Sequence, residues 1–506
     1  MHAYLPGGLV AAVLLPFSMI SGQGKRPEPA TIVRLVDSLS ARTVAEGLAP
    51  ALGVAVVMDG RIVYAKSHGM ADQSKGIRAD DRTLWYLAST SKSFTGFAIS
   101  LLATEGAVSL DAPITKILPR ARWNPAVHAD SLTLRHFLSH THRVNDVAVV
   151  NSAAFTGEIP EARWPELISA ADRMPTADLI YTNFGYNVAA MVIDEVRPEG
   201  WRIFMEKNVF HPVGMRETYS RVSGIDDGRI AKPHVLLATG QYSTRPFFKT
   251  DRTMNSAGGH LATLRDLARW TIVQSDDGVI DGRRVFPKEA VELSHRLIAK
   301  HTREQAKRFA YFDREGWAAG WDVGSYEGEP MVSRFGSYDA TRSHLSFLPK
   351  RRIGVVAMSS GGLSVLTDVI AAFAYDLEAG RADARERADG RLSELRKRRA
   401  DAPKAIATQD SIRAARQQQT LAHPLSDFAG RYFDPAYGTL TVTLRGGQLE
   451  YRWGDIYGPV EIYDASKNQM RVEIAGSGNI VTFTFGPSGP ATSLDVSGTV
   501  LARVAH

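Results

Sequence analysis

Among 506 residues there is no cysteine. That excludes structural disulfides and a lipid-modified cysteine anchor, and it is compatible with export, a bacterial periplasm included. Long apolar runs are scarce as well. One stands out, Leu9 to Ile20 (LVAAVLLPFSMI), which has the length of a signal-peptide core and is too short to span a bilayer comfortably. Small residues Ser21, Gly22 and Gly24 follow it, although only His2 precedes it where a positive segment is usual. Residues 1–24 therefore read as a secretory signal, with a buried or fraying N-terminal helix as the alternative, and no stable membrane anchor is expected. A strong charge of one sign is also missing. The net charge of +6 is mild at this length, and with no nucleic-acid-binding module in view no nucleic-acid partner is expected. H-E-x-x-H, a P-loop and a G-x-S-x-G elbow are absent too, so zinc hydrolase, nucleotide enzyme and α/β-hydrolase lack support. His140 and His142 stand two apart with no third ligand nearby. A structural role is expected for them rather than a metal, and nothing calls for a cofactor.

What is present is an ordinary globular composition, 44% hydrophobic and 23% charged, in a chain long enough for two or three domains. Its most informative stretch is Ser89-Thr90-Ser91-Lys92, between an apolar run and a helix-like segment. In S-x-x-K the serine is a nucleophile and the lysine handles its proton. Residues i and i+3 share a helix face, with β-carbons roughly 5–6 Å apart, so the amine can reach the serine oxygen. Upstream, Gly53 to Tyr64 reads as two strands around an Asp59-Gly60 turn. Downstream, a helix runs to a stop at Gly106.

These segments, followed by Leu132-Thr-Leu-Arg-His-Phe-Leu-Ser-His-Thr141, Tyr181-Thr-Asn-Phe-Gly-Tyr186, Phe210-His-Pro-Val-Gly-Met215 and Ser256-Ala-Gly-Gly-His-Leu-Ala-Thr263, resemble the serine β-lactamase and penicillin-recognising superfamily. The likeness is to its class C-like branch, with its esterases and D-amino-acid peptidases. It implies an α+β catalytic domain over residues 28–377, an antiparallel sheet backed by helices with a helical lobe inserted between early and late strands. It also implies that Tyr181, first residue of a Y-x-N motif, relays protons between nucleophile and leaving group, and that Asn183 holds the substrate's amide. A serine hydroxyl needs such a base, and Lys92 serves only if burial or a neighbouring cation lowers its pKa.

Two departures from the family pattern stand out. Where relatives carry K-T-G or H-x-G, counting back from the Gly354-Val-Val strand places Arg334-Phe335-Gly336. Gly336 permits close backbone approach. The N–H of Ser337 is expected to join that of Ser89 in an oxyanion hole. Arg334 keeps the positive charge but cannot shuttle protons. It is expected to depress the Lys92 pKa or grip a carboxylate, the alternative being a surface arginine. The second departure is His140-Thr-His-Arg143, where relatives show His-Thr-Ser-Gly; an arginine in place of glycine implies a different loop conformation.

Residues 378–420 are rich in Ala, Arg, Glu and Gln and read as an exposed helical linker. Residues 421–506 alternate with period two between turn residues, as in Gly438 to Leu444 and Gln448 to Trp453, and read as a small antiparallel β domain resembling the lipocalin-like tail of some family members. The expected function is an exported serine hydrolase that cleaves amide bonds through an acyl-enzyme on Ser89, with a small peptide or ester as substrate. Within the family, esterase and β-lactamase are the alternatives. Outside that class stands a catalytically weak penicillin- or peptide-binding or sensor protein.

Overall fold

The Asp59-Gly60 turn has positive φ at both residues, 50° and 75°, as a two-residue hairpin of the I′ type requires. It joins strands Ala51–Met58 and Arg61–Asp72, which pair antiparallel with a bulge at Val56/Val57. Every residue of Ala51–Met58 is buried. Leu52, Val54, Val56 and Met58 enter one apolar core and Ala51, Ala55 and Val57 another. The period-two alternation thus serves a sheet covered on both faces. This is a computed structural model, describing residues 26–505 apart from 177–178, 308–309, 364 and 475. The secretory-signal reading of residues 1–24 lies outside the described residues.

Strand Ile353–Ser359 pairs with the other edge of Ala51–Met58, Val54 opposite Ala357, so the two ends of the catalytic stretch meet in mid-sheet. Beyond it follow Thr341–Leu348, Glu329–Tyr338, Asp322–Tyr326, Asp313–Trp317 and Ala299–Lys300, giving a nine-stranded antiparallel sheet with Ile77–Arg78 at the far edge. Helices Pro29–Ala45 and Leu366–Glu378 cover one face. Lys92–Thr104 and Leu264–Ser275 cover the other, and a mostly helical lobe that includes Phe184–Val196 lies between them in sequence. The α+β architecture is as expected.

The linker reading needs correction. Its core is one helix, Ala384–Arg416, and the first half is not simply solvated. Ala384, Ala388, Leu392 and Leu395 recur on one face and join the core beneath Leu366–Glu378. The fully buried Asp376 explains the arginines there: Arg387 reaches it at 3.0 Å and Arg391 at 3.5 Å, and the Tyr326 hydroxyl donates to it at 2.7 Å. Beyond Leu395 the helix is largely exposed.

The C-terminal strands, from Gly430–Asp434 to Thr499–Val504, run consecutively and close on each other as an eight-stranded barrel. Its interior holds residues such as Leu440, Tyr451, Met470, Phe483 and Leu494. Among the described residues no helix is long and apolar enough to cross a membrane. The barrel rests on the helical lobe, where the Asp455 amide donates to the Thr156 carbonyl at 2.7 Å and the Thr439 amide to Glu158 Oε1 at 3.1 Å.

Candidate active site

Ser89 follows Ala88, a non-glycine residue held at φ 46°. The left-handed turn carries a small strain cost and leads from buried Leu87, whose amide is held by the His260 carbonyl at 3.0 Å, into the short turn Ala88–Ser91. Helix Lys92–Thr104 continues directly from that turn. Ser89 therefore sits one turn before the α-helix itself, with its side chain at the cleft surface and Lys92 wholly buried behind it.

The Lys92 ammonium donates to Ser89 Oγ at 3.2 Å, to Asn183 Oδ1 at 2.7 Å and to the Ala257 carbonyl at 2.7 Å. Burial lowers its pKa to about 8, opposed by Tyr181 and assisted by the Arg334 charge. The Tyr181 hydroxyl lies 2.6 Å from Ser89 Oγ as donor and accepts from Arg334 Nη2 at 3.1 Å. Tyr181 is 43% exposed along the cleft, but its hydroxyl is enclosed; that desolvation pushes the pKa up, and Lys92 and Arg334 outweigh it and bring it down to about 8. Two groups that interact this closely share their titration. The serine oxygen thus faces a lysine and a tyrosine that lose a proton near neutral pH.

Arg334, on strand Glu329–Tyr338, is only 3% exposed, which removes the surface-arginine alternative. Its Nε donates to the Ser89 carbonyl at 2.9 Å, Nη1 to Asp322 Oδ2 at 3.2 Å and Nη2 to Tyr181. Each of its three nitrogens has a protein partner, so the residue braces the site, while Nη1 and Nη2 each keep a second N–H on the cleft wall. Asp322 is fully buried and also faces Arg314 at 3.5 Å and His301 at 3.6 Å. A β-carbon on Gly336 would collide with the Leu87 carbonyl and stand 2.9 Å from the Ser89 amide nitrogen. Glycine here lets the strand lie against the nucleophile turn. Ser337 follows, exposed, on the wall of the same cleft.

The structure brings Ser89, Lys92, Tyr181, Asn183 and Arg334 into one hydrogen-bonded group, with Gly336 and Ser337 beside it. Asn183 turns its oxygen to Lys92, so only the other end of its carboxamide can serve a substrate. The cleft measures about 740 Å³, and Leu179, Trp317 and Arg342 add to its walls.

Three contributors escaped the sequence reading. Asp322 carries no motif around it. Trp317 packs against Tyr181 with ring centroids 5.6 Å apart and lies under the Arg334 guanidinium at 4.6 Å. His140, read as structural, packs its buried ring 4.6 Å from Tyr181 and 4.6 Å from Trp317. Burial, then Lys92 and Arg334, hold its pKa well below the usual histidine range, so it is neutral. The only signal for it was the Leu-Ser-His-Thr text. His142 stacks on Phe137 and accepts from the Val144 amide at 3.0 Å, a structural role as expected. The changed loop is met differently. Arg143 itself takes φ 60°, the region glycine favours, and its guanidinium donates to the Met174 and Pro175 carbonyls at 3.2 and 3.1 Å.

Comparison with known proteins adds an independent line. The family model described as Beta-lactamase matches residues 36–379. Protein flp of Staphylococcus aureus (strain MW2) is 21% identical over 330 residues, 64% of this chain and 62% of that protein. Penicillin-binding protein 4 of Amycolatopsis lactamdurans is 22% identical over 326 residues, 63% of this chain and 84% of that protein. The chain thus spans less than two thirds of the length of the first of these relatives. Among solved structures, the octameric penicillin-binding protein homologue from Pyrococcus abyssi aligns over 93% of this chain and all of its own, with TM-score 0.59 and 19% identity. D-amino acid amidase from Ochrobactrum anthropi SV3 aligns over 71% of this chain and 99% of its own, with TM-score 0.56 and 18% identity. At these identities the structural likeness speaks to fold.

Proposed function

The chain belongs to the Beta-lactamase family, and on that footing we propose that it is an exported serine hydrolase that cleaves the amide bond of a small peptide through an acyl-enzyme on Ser89. The observation that carries the reading is the position of Ser89 Oγ, 2.6 Å from the Tyr181 hydroxyl and 3.2 Å from Lys92 Nζ. With the pKa of each base brought down to about 8, part of the population has lost the pair's first proton at pH 7. In that form Tyr181 takes the Ser89 proton as Oγ attacks the carbonyl carbon, and Lys92 stabilises the phenolate before transfer and exchanges protons with it. The oxyanion that forms faces the amides of Ser89 and Ser337. As the intermediate collapses, the C–N bond breaks, and Tyr181 returns the proton to the leaving nitrogen. Water then attacks the ester by the same relay and releases Ser89. The free end of the Asn183 carboxamide is the donor for a substrate carbonyl.

A peptide amide is favoured over a β-lactam because Arg334-Phe335-Gly336 stands where β-lactam enzymes carry K-T-G. An ester fits the same chemistry. Export rests on the apolar run Leu9 to Ile20. The test is covalent labelling of the purified protein with a fluorophosphonate or a fluorescent penicillin, followed by peptide mapping. Label on Ser89, lost in Ser89→Ala, supports the reading; label on Ser91 or Ser93 with Ser89→Ala still active sinks it. N-terminal sequencing of protein recovered from the producing cell tests export, since an intact Leu9–Ile20 segment on the mature chain rejects it.

A further inference from the structure

Where the barrel meets the catalytic domain lies a second cavity, of about 530 Å³. Ser337 lines both this cavity and the cleft that holds Ser89, so the two spaces adjoin at the strand end that carries Gly336. Its walls come from both domains. Phe155 and Tyr338 on the catalytic side stack with ring centroids 6.4 Å apart. Tyr437 and Trp453 on the barrel side stack at 6.1 Å, and Trp453 Nε1 donates to the Tyr437 carbonyl at 2.9 Å. Side chains fixed in this way lose little freedom when a ligand arrives.

The polar groups around the cavity narrow the choice of occupant. Among its described lining residues Asp339 alone carries charge, and Arg245 ties it up, reaching Asp339 at 3.3 Å and Glu473 of the barrel at 2.8 Å. The same bridge, together with the close seat of Gly476 against Asp339, fixes the barrel rim beside the Ser337 strand end. An aromatic-walled hollow of mixed lining, in which Asn151, Ser337, Asn479 and Ser497 stand beside the rings and the carboxylate is neutralised, has the make-up of a ligand pocket. We infer that this cavity is a substrate subsite continuing the catalytic cleft, which takes a neutral aromatic or branched aliphatic substituent remote from the scissile bond. The inference rests on the acyl-enzyme reading above.

The test compares second-order inactivation of the full-length protein by two fluorophosphonates, one bearing an ethyl group and one a phenylalkyl chain. Wild type is expected to react at least tenfold faster with the phenylalkyl probe. Val147, 44% exposed, and Ser477, exposed at the start of barrel strand Ser477–Phe485, flank the cavity from opposite sides. Val147→Trp and Ser477→Trp fill it from the surface without opening a core, and each is expected to bring the ratio of the two rates close to one. Val500→Trp, exposed and outside the cavity lining, is the control and should keep the wild-type ratio. A wild-type ratio near one, or wild-type ratios in both lining variants, overturns the subsite while leaving acylation of Ser89 in place. If neither probe labels Ser89, the acyl-enzyme reading falls and the subsite falls with it.

Discussion

Strand Gln448–Trp453 of the barrel sends Leu449, Tyr451 and Trp453 inward and leaves Gln448, Glu450 and Arg452 outside. Strand Glu329–Tyr338 of the catalytic domain instead buries Ser333 and Arg334 among Val332 and Phe335. The contrast extends to both domains. Among the described residues, every buried side chain of Ser, Thr, Asn, Gln, Asp, Glu, Lys, Arg or His lies before residue 379. Burying a charge is costly unless it is paired, and breaking such a pair strands its partner. The barrel avoids that cost throughout. The catalytic domain accepts it at several places, Asp376 among them, and at Lys92, Arg334 and Asp322 it does so beside the nucleophile, where two groups have pKa values of about 8. Perturbed groups converging on a cleft mark where a fold has been shaped by chemistry rather than by stability alone.

If this contrast holds, substitutions in the charged group should act mainly on chemistry and those in the barrel mainly on stability. The largest effect on acylation is expected from Ser89→Ala, a loss on the order of 10⁴-fold or more in turnover, as for other nucleophile deletions. Thermal unfolding should stay near that of wild type, because Ser89 is at the cleft surface. Next come Lys92→Ala and Tyr181→Phe, each lowering kcat far more than it weakens binding. Because both flank the same oxygen, the double variant should be little worse than the worse single one. Multiplicative losses in a double-mutant cycle would show two independent groups.

Arg334→Ala should cost less, about 1.5–3 kcal/mol in kcat/KM for the lost charge-assisted hydrogen bond, roughly ten- to a hundredfold. Its sharper signature is in pH. The reactive form has lost a proton from the Lys92–Tyr181 pair, so wild-type acylation is expected to rise with pH and level off above about 8. The guanidinium charge lowers both pKa values. Removing it should move the rising limb to higher pH, and Arg334→Lys, which keeps a charge, should move it less. A limb that stays put in Arg334→Ala would assign the arginine to packing alone.

Much of this was legible because it is local. The i, i+3 spacing of Ser89 and Lys92, the Asp59-Gly60 hairpin and the inward alternation of Leu449, Tyr451 and Trp453 are all short-range patterns. Arg334 was found by counting strands, and the count works because Val332 pairs with Phe347 and Phe347 with Gly354. Asp322, Trp317 and the ring of His140 were not legible, because only the tertiary fold brings Asp322 to Arg334 and the two rings to Tyr181. The arginine-rich stretch after residue 378 misled for a related reason. Its charges answer a carboxylate, Asp376, that the sequence gives no cause to think buried, and its apolar face is thin, Ala384 and Ala388 preceding Leu392 and Leu395.

The smallest effect on acylation is expected from within the barrel. Leu494 is fully buried in the barrel core. Leu494→Ala should open a cavity and cost about 2–5 kcal/mol of stability, read as a lower unfolding midpoint of the barrel. The rate at which an ethyl fluorophosphonate labels Ser89 should change by less than twofold at temperatures where the barrel is still folded. This outcome would keep the two interiors functionally distinct, with one holding the reaction and the other forming a wall. A larger loss under those conditions would blur the contrast. The path for it is visible: Gly476 of the barrel seats against Asp339, in the turn between strands Glu329–Tyr338 and Thr341–Leu348. A slackened barrel would then loosen the strand end that carries Ser337, and the barrel would count as a positioning element for the oxyanion donors.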